Sequence, residues 1–278
     1  MTADNSSIMD GWPHDRRNTI KDLQAATERG ERWAMLTAYD AFTPGAFENA
    51  GVRAFLVGDT AGMVVFGRET TVSVTLDELL PLVRAVVAGT SRALVVADLP
   101  FGTYQTSADQ ALRSATRYVK EGGAQAVKLE GGKSVVPQVR AITEAGIPLM
   151  GHLGLTPQSI HALGGNKVQG KGHAGDLLLA DAHALQDAGA FAVVLEAVPA
   201  ELGEQVTKEL RVPTVGIGAG AGCAAQILVW QDMLGLTPGR VPKFVKKYAN
   251  LQEILTESAS SYVREVRDGV FPSPQYSY

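Results

Sequence analysis

The stretch "ALVVADLPFG", residues 93–102, runs small and branched apolar residues into Asp98 and then breaks at Pro100 and Gly102. A short continuous apolar run suits a strand covered on both faces, as parallel strands between helices are. The shape recurs in "WAMLTAY" (33–39), "AFLVG" (54–58), "AVKL" (126–129), "PLMG" (148–151), "AVVL" (192–195), "PTVGI" (213–217) and "ILVW" (227–230). With "ALVVA" (93–97) these make eight, and helical stretches separate them. Eight strands with helical crossovers favour a single-domain (β/α)8 TIM barrel of the α/β class over an open doubly wound sheet.

Helix signals fit that reading. Thr75 with Glu78 and Ser107 with Gln110 have capping-box spacing, Pro199 suits a first helical turn, and Gly122 or Gly123 suits a stop. Pro81 lies inside "TLDELLPLVRAVVAG", where its missing N–H is expected to kink the helix or delay its regular part.

With 278 residues, 45% hydrophobic and 19% charged, the chain has the size of one barrel or two small domains. The spacing of strands selects the first: a polar N-terminal segment over 1–18 and a barrel domain over 19–278 that includes a C-terminal helix and tail. A formal net charge of -4 carries no basic excess for nucleic acid or an anionic membrane, so the expected partner is a small molecule. The single cysteine, Cys223, excludes an internal disulfide and fits a reducing compartment. No stretch approaches the ~20 apolar residues of a membrane span, and no signal peptide is evident, so the expectation is a soluble, cytoplasmic protein.

The residues following the apolar runs are Asp40, Asp59, Asp98, Glu130, His152, Glu196 and, two residues beyond its run, Asp232. In a parallel barrel the strand ends converge on one face, so these side chains are expected to ring its mouth. Any one acid there could instead cap the next helix or meet solvent. Several together repel unless a cation shares them, and the candidates are a metal and Lys128, which should share a face with Glu130 two residues on. Carboxylates without thiolates or paired histidines suggest Mg²⁺, which usually keeps waters and takes one or two carboxylates plus substrate oxygens. Such an ion can chelate a 2-oxo acid and, as a Lewis acid, favour the enolate formed when a base removes the adjacent proton. Glu196 fits the base by position.

The blocks "FLVGDTAGM", "VTLDE", "ADLPFGTY", "AVKLEGG", "GHLGLTPQS", "GGNKVQG", "FAVVLEAVP", "PTVGIGAG" and "PKFVKKYA" resemble, in order and spacing, the ketopantoate hydroxymethyltransferases, from about Thr19 to the C-terminus. The resemblance implies a Mg²⁺-dependent barrel of the phosphoenolpyruvate mutase and isocitrate lyase superfamily. Its members transfer a hydroxymethyl group from 5,10-methylenetetrahydrofolate to 3-methyl-2-oxobutanoate, giving 2-dehydropantoate in the pantothenate pathway. By motif it implies Asp59 and Asp98 as metal ligands, with Glu130 joining directly or through water, and Glu196 as general base. It also implies that Asp59, Thr60, Asp98, Lys128 and His152 line the oxo-acid site, and that the chain forms a homo-oligomer, commonly a decamer.

The chain departs from the family pattern at Thr60, where Ser is usual, at Leu82 for a His, at Asn166 for a Tyr, and at Ala224-Ala225 for Asp-Gly. These departures keep open a relative acting on another 2-oxo acid, or a superfamily lyase or aldolase. A non-catalytic barrel is disfavoured by the intact acidic set. "GIGAG" (216–220) reads as a tight turn rather than a phosphate loop, "GLTPQSIHALGGNKVQGKG" (154–172) as a lid or folate-side loop or a solvated one, and Cys223 as packing.

Overall fold

The computed structural model describes residues 11–278. The polar segment read over 1–18 therefore lies partly outside the described residues. After α1 (Ile20–Glu28), the chain forms β1 (Trp33–Thr37), α2 (Thr43–Asn49), β2 (Ala54–Val57), α3 (Ala61–Val64), α4 (Leu76–Ala88) and β3 (Leu94–Asp98). It continues with α5 (Ala108–Arg117), β4 (Ala126–Lys128), α6 (Val136–Glu144), β5 (Leu149–Gly154), α7 (Ile160–Leu163) and α8 (His173–Asp187). The barrel closes with β6 (Ala192–Glu196), α9 (Ala200–Glu209), β7 (Thr214–Ile217) and β8 (Ala225–Leu228). Each strand pairs in parallel with the next, and β8 returns to β1 in the register Trp33↔Ala225 to Leu36↔Leu228.

The fold is thus the closed eight-stranded barrel expected from the sequence, with differences at some elements. The eighth strand is Ala225–Leu228, two residues earlier than "ILVW". Ala225 and Ile227 are buried while Gln226 between them is exposed, so the strand alternates, and a search for continuous apolar runs slides past it. Asp232 consequently follows no strand tip; it sits on α10 (Trp230–Met233). α4 runs unbroken through Pro81, which is exposed, so water can meet the carbonyl that loses its partner. The Thr75–Glu78 capping box forms in full. Ser107 caps α5 by accepting from Gln110 N at 3.1 Å, whereas the Gln110 amide serves Thr106 N and Gly102 O instead. Pro199 sits at the N-cap of α9, and Gly123, at φ +76°, ends the helical run after α5.

Inward positions alternate along the strands. Leu56, Val96, Ala126, Met150 and Val194 belong to one buried cluster that fills the barrel. Trp12 and the α1 residues Leu23 and Ala26 join it beside Trp33 and Phe191 at strand starts, closing the N-terminal end. Two residues beyond each of those five inward positions stand Gly58, Asp98, Lys128, His152 and Glu196, at the opposite end.

The chain divides into two compact units at Leu228. The second, Val229–Tyr278, contains α10, α11 (Leu251–Arg267) and the tail, in which Phe271 packs against Tyr262 and Tyr276 with ring centroids 5.6 and 5.8 Å apart.

Candidate active site

The strand ends bring Asp98, Lys128, Glu130 and His152 together, each at most 5% exposed, with Asp59 at 2%. Asp98 and Lys128 are register partners on β3 and β4, and Lys128 Nζ donates to Asp98 Oδ1 at 2.6 Å. Glu130, sharing the inward face with Lys128, places Oε1 3.7 Å from the same ammonium. His152 of β5 lies between two carboxylates: Nδ1 is 3.3 Å from Glu130 Oε1 and Nε2 is 3.4 Å from Glu196 Oε2. Neither contact is aligned as a hydrogen bond, so these are close charge contacts. Asp59 comes from the turn after β2 and donates its backbone N–H to Asp98 Oδ2 at 3.3 Å. The cluster is open at Glu196, whose side chain is 17% exposed, and at the partly exposed Thr60 at the N-cap of α3.

Of the acids expected at the mouth, Asp40 stands apart. Its Oδ1 accepts from Phe42 N and Thr43 N at 2.7 and 2.8 Å, so it organises the entry to α2, the capping role available to any acid after a strand.

Two residues unmarked by the sequence reading complete the cluster. Gln158, in the 3-10 turn Pro157–Ser159 after β5, donates Nε2 to Asp59 Oδ2 and to Leu99 O, both at 3.0 Å, and its backbone N to Glu130 Oε2 at 3.0 Å. Tyr104 OH reaches Gln158 Oε1 at 2.7 Å and receives Glu130 N at 3.2 Å. Both lie inside quoted motif blocks, but their partners are distant in sequence.

Burial pushes the Asp59 carboxyl well above its usual range, and the charges of Asp98 and Glu130 push it further. Burial also raises Asp98, against the pull of Lys128. Lys128 is held charged: burial alone would lower it, but Asp98, Glu130 and Asp59 outweigh that. His152 is raised to about 9 because Glu130 and Glu196 overcome the cost of burying its charge. Glu130 is lowered, its burial outweighed by His152 and Lys128.

The donor set fits a hard divalent cation. Asp59 and Asp98 supply buried carboxylate oxygens, and with Glu130 they set three carboxylates around the single ammonium of Lys128. Among the described residues no three His, Cys, Asp or Glu side chains are grouped to hold a metal ion by themselves. An ion there would rest on the Asp59–Asp98 pair and fill its remaining positions with water and substrate oxygens.

The remaining motifs take the following places in the described chain. Gly218 and Gly220 of "GIGAG" adopt φ of +67° and +83°, and a Cβ on Gly220 would meet Ala200 Cβ at 2.6 Å, so the turn permits close backbone packing. Cys223 is buried. In the 154–172 stretch, Asn166, Lys167, Val168 and Lys171 are exposed, while Gln169 N donates to Ala197 O at 2.9 Å, beside Glu196.

A family model for ketopantoate hydroxymethyltransferase matches residues 17–274. A 3-methyl-2-oxobutanoate hydroxymethyltransferase of Frankia casuarinae is 62% identical over 266 residues, covering 96% of this chain and 90% of that protein. One of Thermobifida fusca is 60% identical, covering 96% of each. Among solved structures, 2,3-dimethylmalate lyase, a member of the PEP mutase/isocitrate lyase superfamily, aligns with a TM-score of 0.58 at 17% identity over 92% of both chains, a likeness of fold.

Proposed function

The chain belongs to the ketopantoate hydroxymethyltransferase family, and from that premise we propose that it transfers a hydroxymethyl group from 5,10-methylenetetrahydrofolate to 3-methyl-2-oxobutanoate, giving 2-dehydropantoate. The observation that carries the reading is the convergence of Asp59, Asp98, Lys128, Glu130, His152 and Glu196 at the strand ends.

Asp59 and Asp98 would hold Mg²⁺, and Glu130, with Oε2 engaged by Gln158 N, would join through water. When bound, the ion supplies Lewis-acid polarisation of the keto oxygen. Lys128, fixed by Asp98, offers a positive charge to the oxygens of the oxo acid. Thr60, next in the chain to Asp59, contacts the acid with its hydroxyl. Glu196, at the open edge, removes the proton from C3, and His152 keeps the carboxylate oriented. Water adds to the methylene carbon of the folate, both C–N bonds break to release tetrahydrofolate and formaldehyde, and the C3 nucleophile adds to the formaldehyde carbon, the new alkoxide taking up a proton in place of the one lost from C3. The exposed stretch around Asn166 and Lys167 serves the folate side. A cytoplasmic homo-oligomer, a decamer by resemblance, completes the proposal; among the described residues no helix is long and apolar enough to cross a membrane.

The test is proton exchange without folate. The protein with Mg²⁺ and 3-methyl-2-oxobutanoate in heavy water should exchange the C3 proton, and Glu196→Gln should lower the rate by about 10²–10⁴-fold. Undiminished exchange in that variant removes Glu196 as base. Of the departures from the family pattern, Thr60 adjoins Asp59, Leu82 lies on α4, Asn166 is exposed and Ala225 opens β8. A panel of 2-oxo acids followed by product mass tests whether Thr60 changes the preferred acid.

A further inference from the structure

We propose that Gln158 is a positioning residue that holds Asp59 and Glu130 in the geometry a divalent cation needs, an inference that rests on the reading of Asp59 as a metal ligand. Gln158 is 4% exposed, and every polar atom of its side chain is engaged. Its amide has two hydrogens: one goes to Asp59 Oδ2 and the other to the Leu99 carbonyl, each at 3.0 Å. Its oxygen accepts from Tyr104 OH at 2.7 Å. The amide orientation is therefore determined, since exchanging nitrogen and oxygen would set a lone pair against both Asp59 and Leu99. The backbone N–H of the same residue engages Glu130 Oε2 at 3.0 Å.

One residue thus grips two carboxylates through two different groups. Asp98, the third, is held by Lys128 at 2.6 Å. The difference in donor type has a chemical consequence. An ammonium beside a carboxylate offsets its charge, whereas a neutral amide orients the carboxylate and leaves the charge available to a cation. Holding Asp59 Oδ2 leaves Oδ1 to the ion. Pro157, at the first position of the turn, restricts the backbone that presents Gln158.

The experiment measures Mn²⁺ binding without substrate, from the free-ion electron paramagnetic resonance signal, alongside thermal unfolding and C3 exchange. Gln158→Met keeps the length of the side chain and removes the amide. It is expected to stay folded and to raise the Mn²⁺ dissociation constant ~10- to 100-fold, with exchange recovering at saturating Mn²⁺. Asp98→Asn is the control: if it weakens Mn²⁺ binding and Gln158→Met leaves the constant within about twofold, a change worth under ~0.5 kcal/mol, the role of Gln158 is overturned. If wild type binds no Mn²⁺, the metal reading itself fails and Gln158's role with it. Should Gln158→Met not fold, Gln158→Asn keeps an amide but withdraws it by one methylene from Asp59 Oδ2. A several-fold weakening then supports the proposal, and an unchanged constant overturns it.

Discussion

Lys128 Nζ sits 2.6 Å from Asp98 Oδ1, with both side chains at most 3% exposed. Removing one partner from such a pair leaves an uncompensated buried charge, and Lys128→Met is expected to cost about 3–5 kcal/mol in urea unfolding. Adding Asp98→Asn should recover part of that loss, because the surviving partner no longer needs a counter-charge; strictly additive losses would show that the pair is uncoupled. The shared face of Lys128 and Glu130 was legible from their spacing of two in a strand run, and the 3.7 Å contact bears that out. The alternatives at Asp40 were equally legible, but which one held was not, because the choice depends on whether Phe42 and Thr43 turn their N–H groups toward it. Gln158 was invisible for a different reason. It lies 99 residues from Asp59, and a glutamine carries no spacing signature.

At the scale of elements, α4 shows local chemistry acting as its sequence predicts. Thr75 N donates to Glu78 Oε2 at 2.9 Å, and Glu78 N donates back to Thr75 Oγ1 at 3.2 Å. Thr75→Ala is expected to lower stability by about 1 kcal/mol in chemical unfolding. The hydrogen bond from Arg68, aided by those at Thr75, lowers the Glu78 carboxyl from its ordinary 4.5 to about 2. Since the folded value is the lower one, the contribution is complete above pH about 4.5 and fades as pH falls toward 2. Glu78→Gln should therefore flatten the acid limb of the urea midpoint against pH in that window, and an unchanged limb would contradict the assignment. β8 marks the limit of such reading. Its four residues alternate, and their register is set by pairing with β1 and β7. An apolar-run criterion placed the strand two residues late and carried Asp232 with it.

For the whole molecule, the barrel separates stability from chemistry along its axis. Trp12 is 4% exposed in the interior cluster, with the Arg53 guanidinium 4.7 Å from its ring centroid, at the end away from Lys128 and Glu196. Trp12→Ala is expected to cost about 3–5 kcal/mol by loss of burial and creation of a cavity. At temperatures where the variant remains folded, its saturated C3 exchange rate should match wild type. A rate loss without a stability loss would mean that the two ends are not independent. The acids near the mouth are expected to tolerate the reverse trade, since groups gathered for charge stabilisation repel one another before a cation arrives.

By itself the sequence determined the closed parallel barrel, the family, and the strand ends that carry Asp98, Lys128, His152 and Glu196, because continuous apolar runs, helix capping and short motif blocks are each written within a few neighbouring residues. The tertiary structure alone decided that Asp40 accepts the N–H groups at the start of α2, that β8 begins at Ala225, that His152 stands between Glu130 and Glu196, and that Gln158, braced by Tyr104, grips the carboxylates of Asp59 and Glu130. Those outcomes depend on groups brought together only when the sheet closes, and hydrogen-bond geometry between distant segments leaves no periodic trace in the chain.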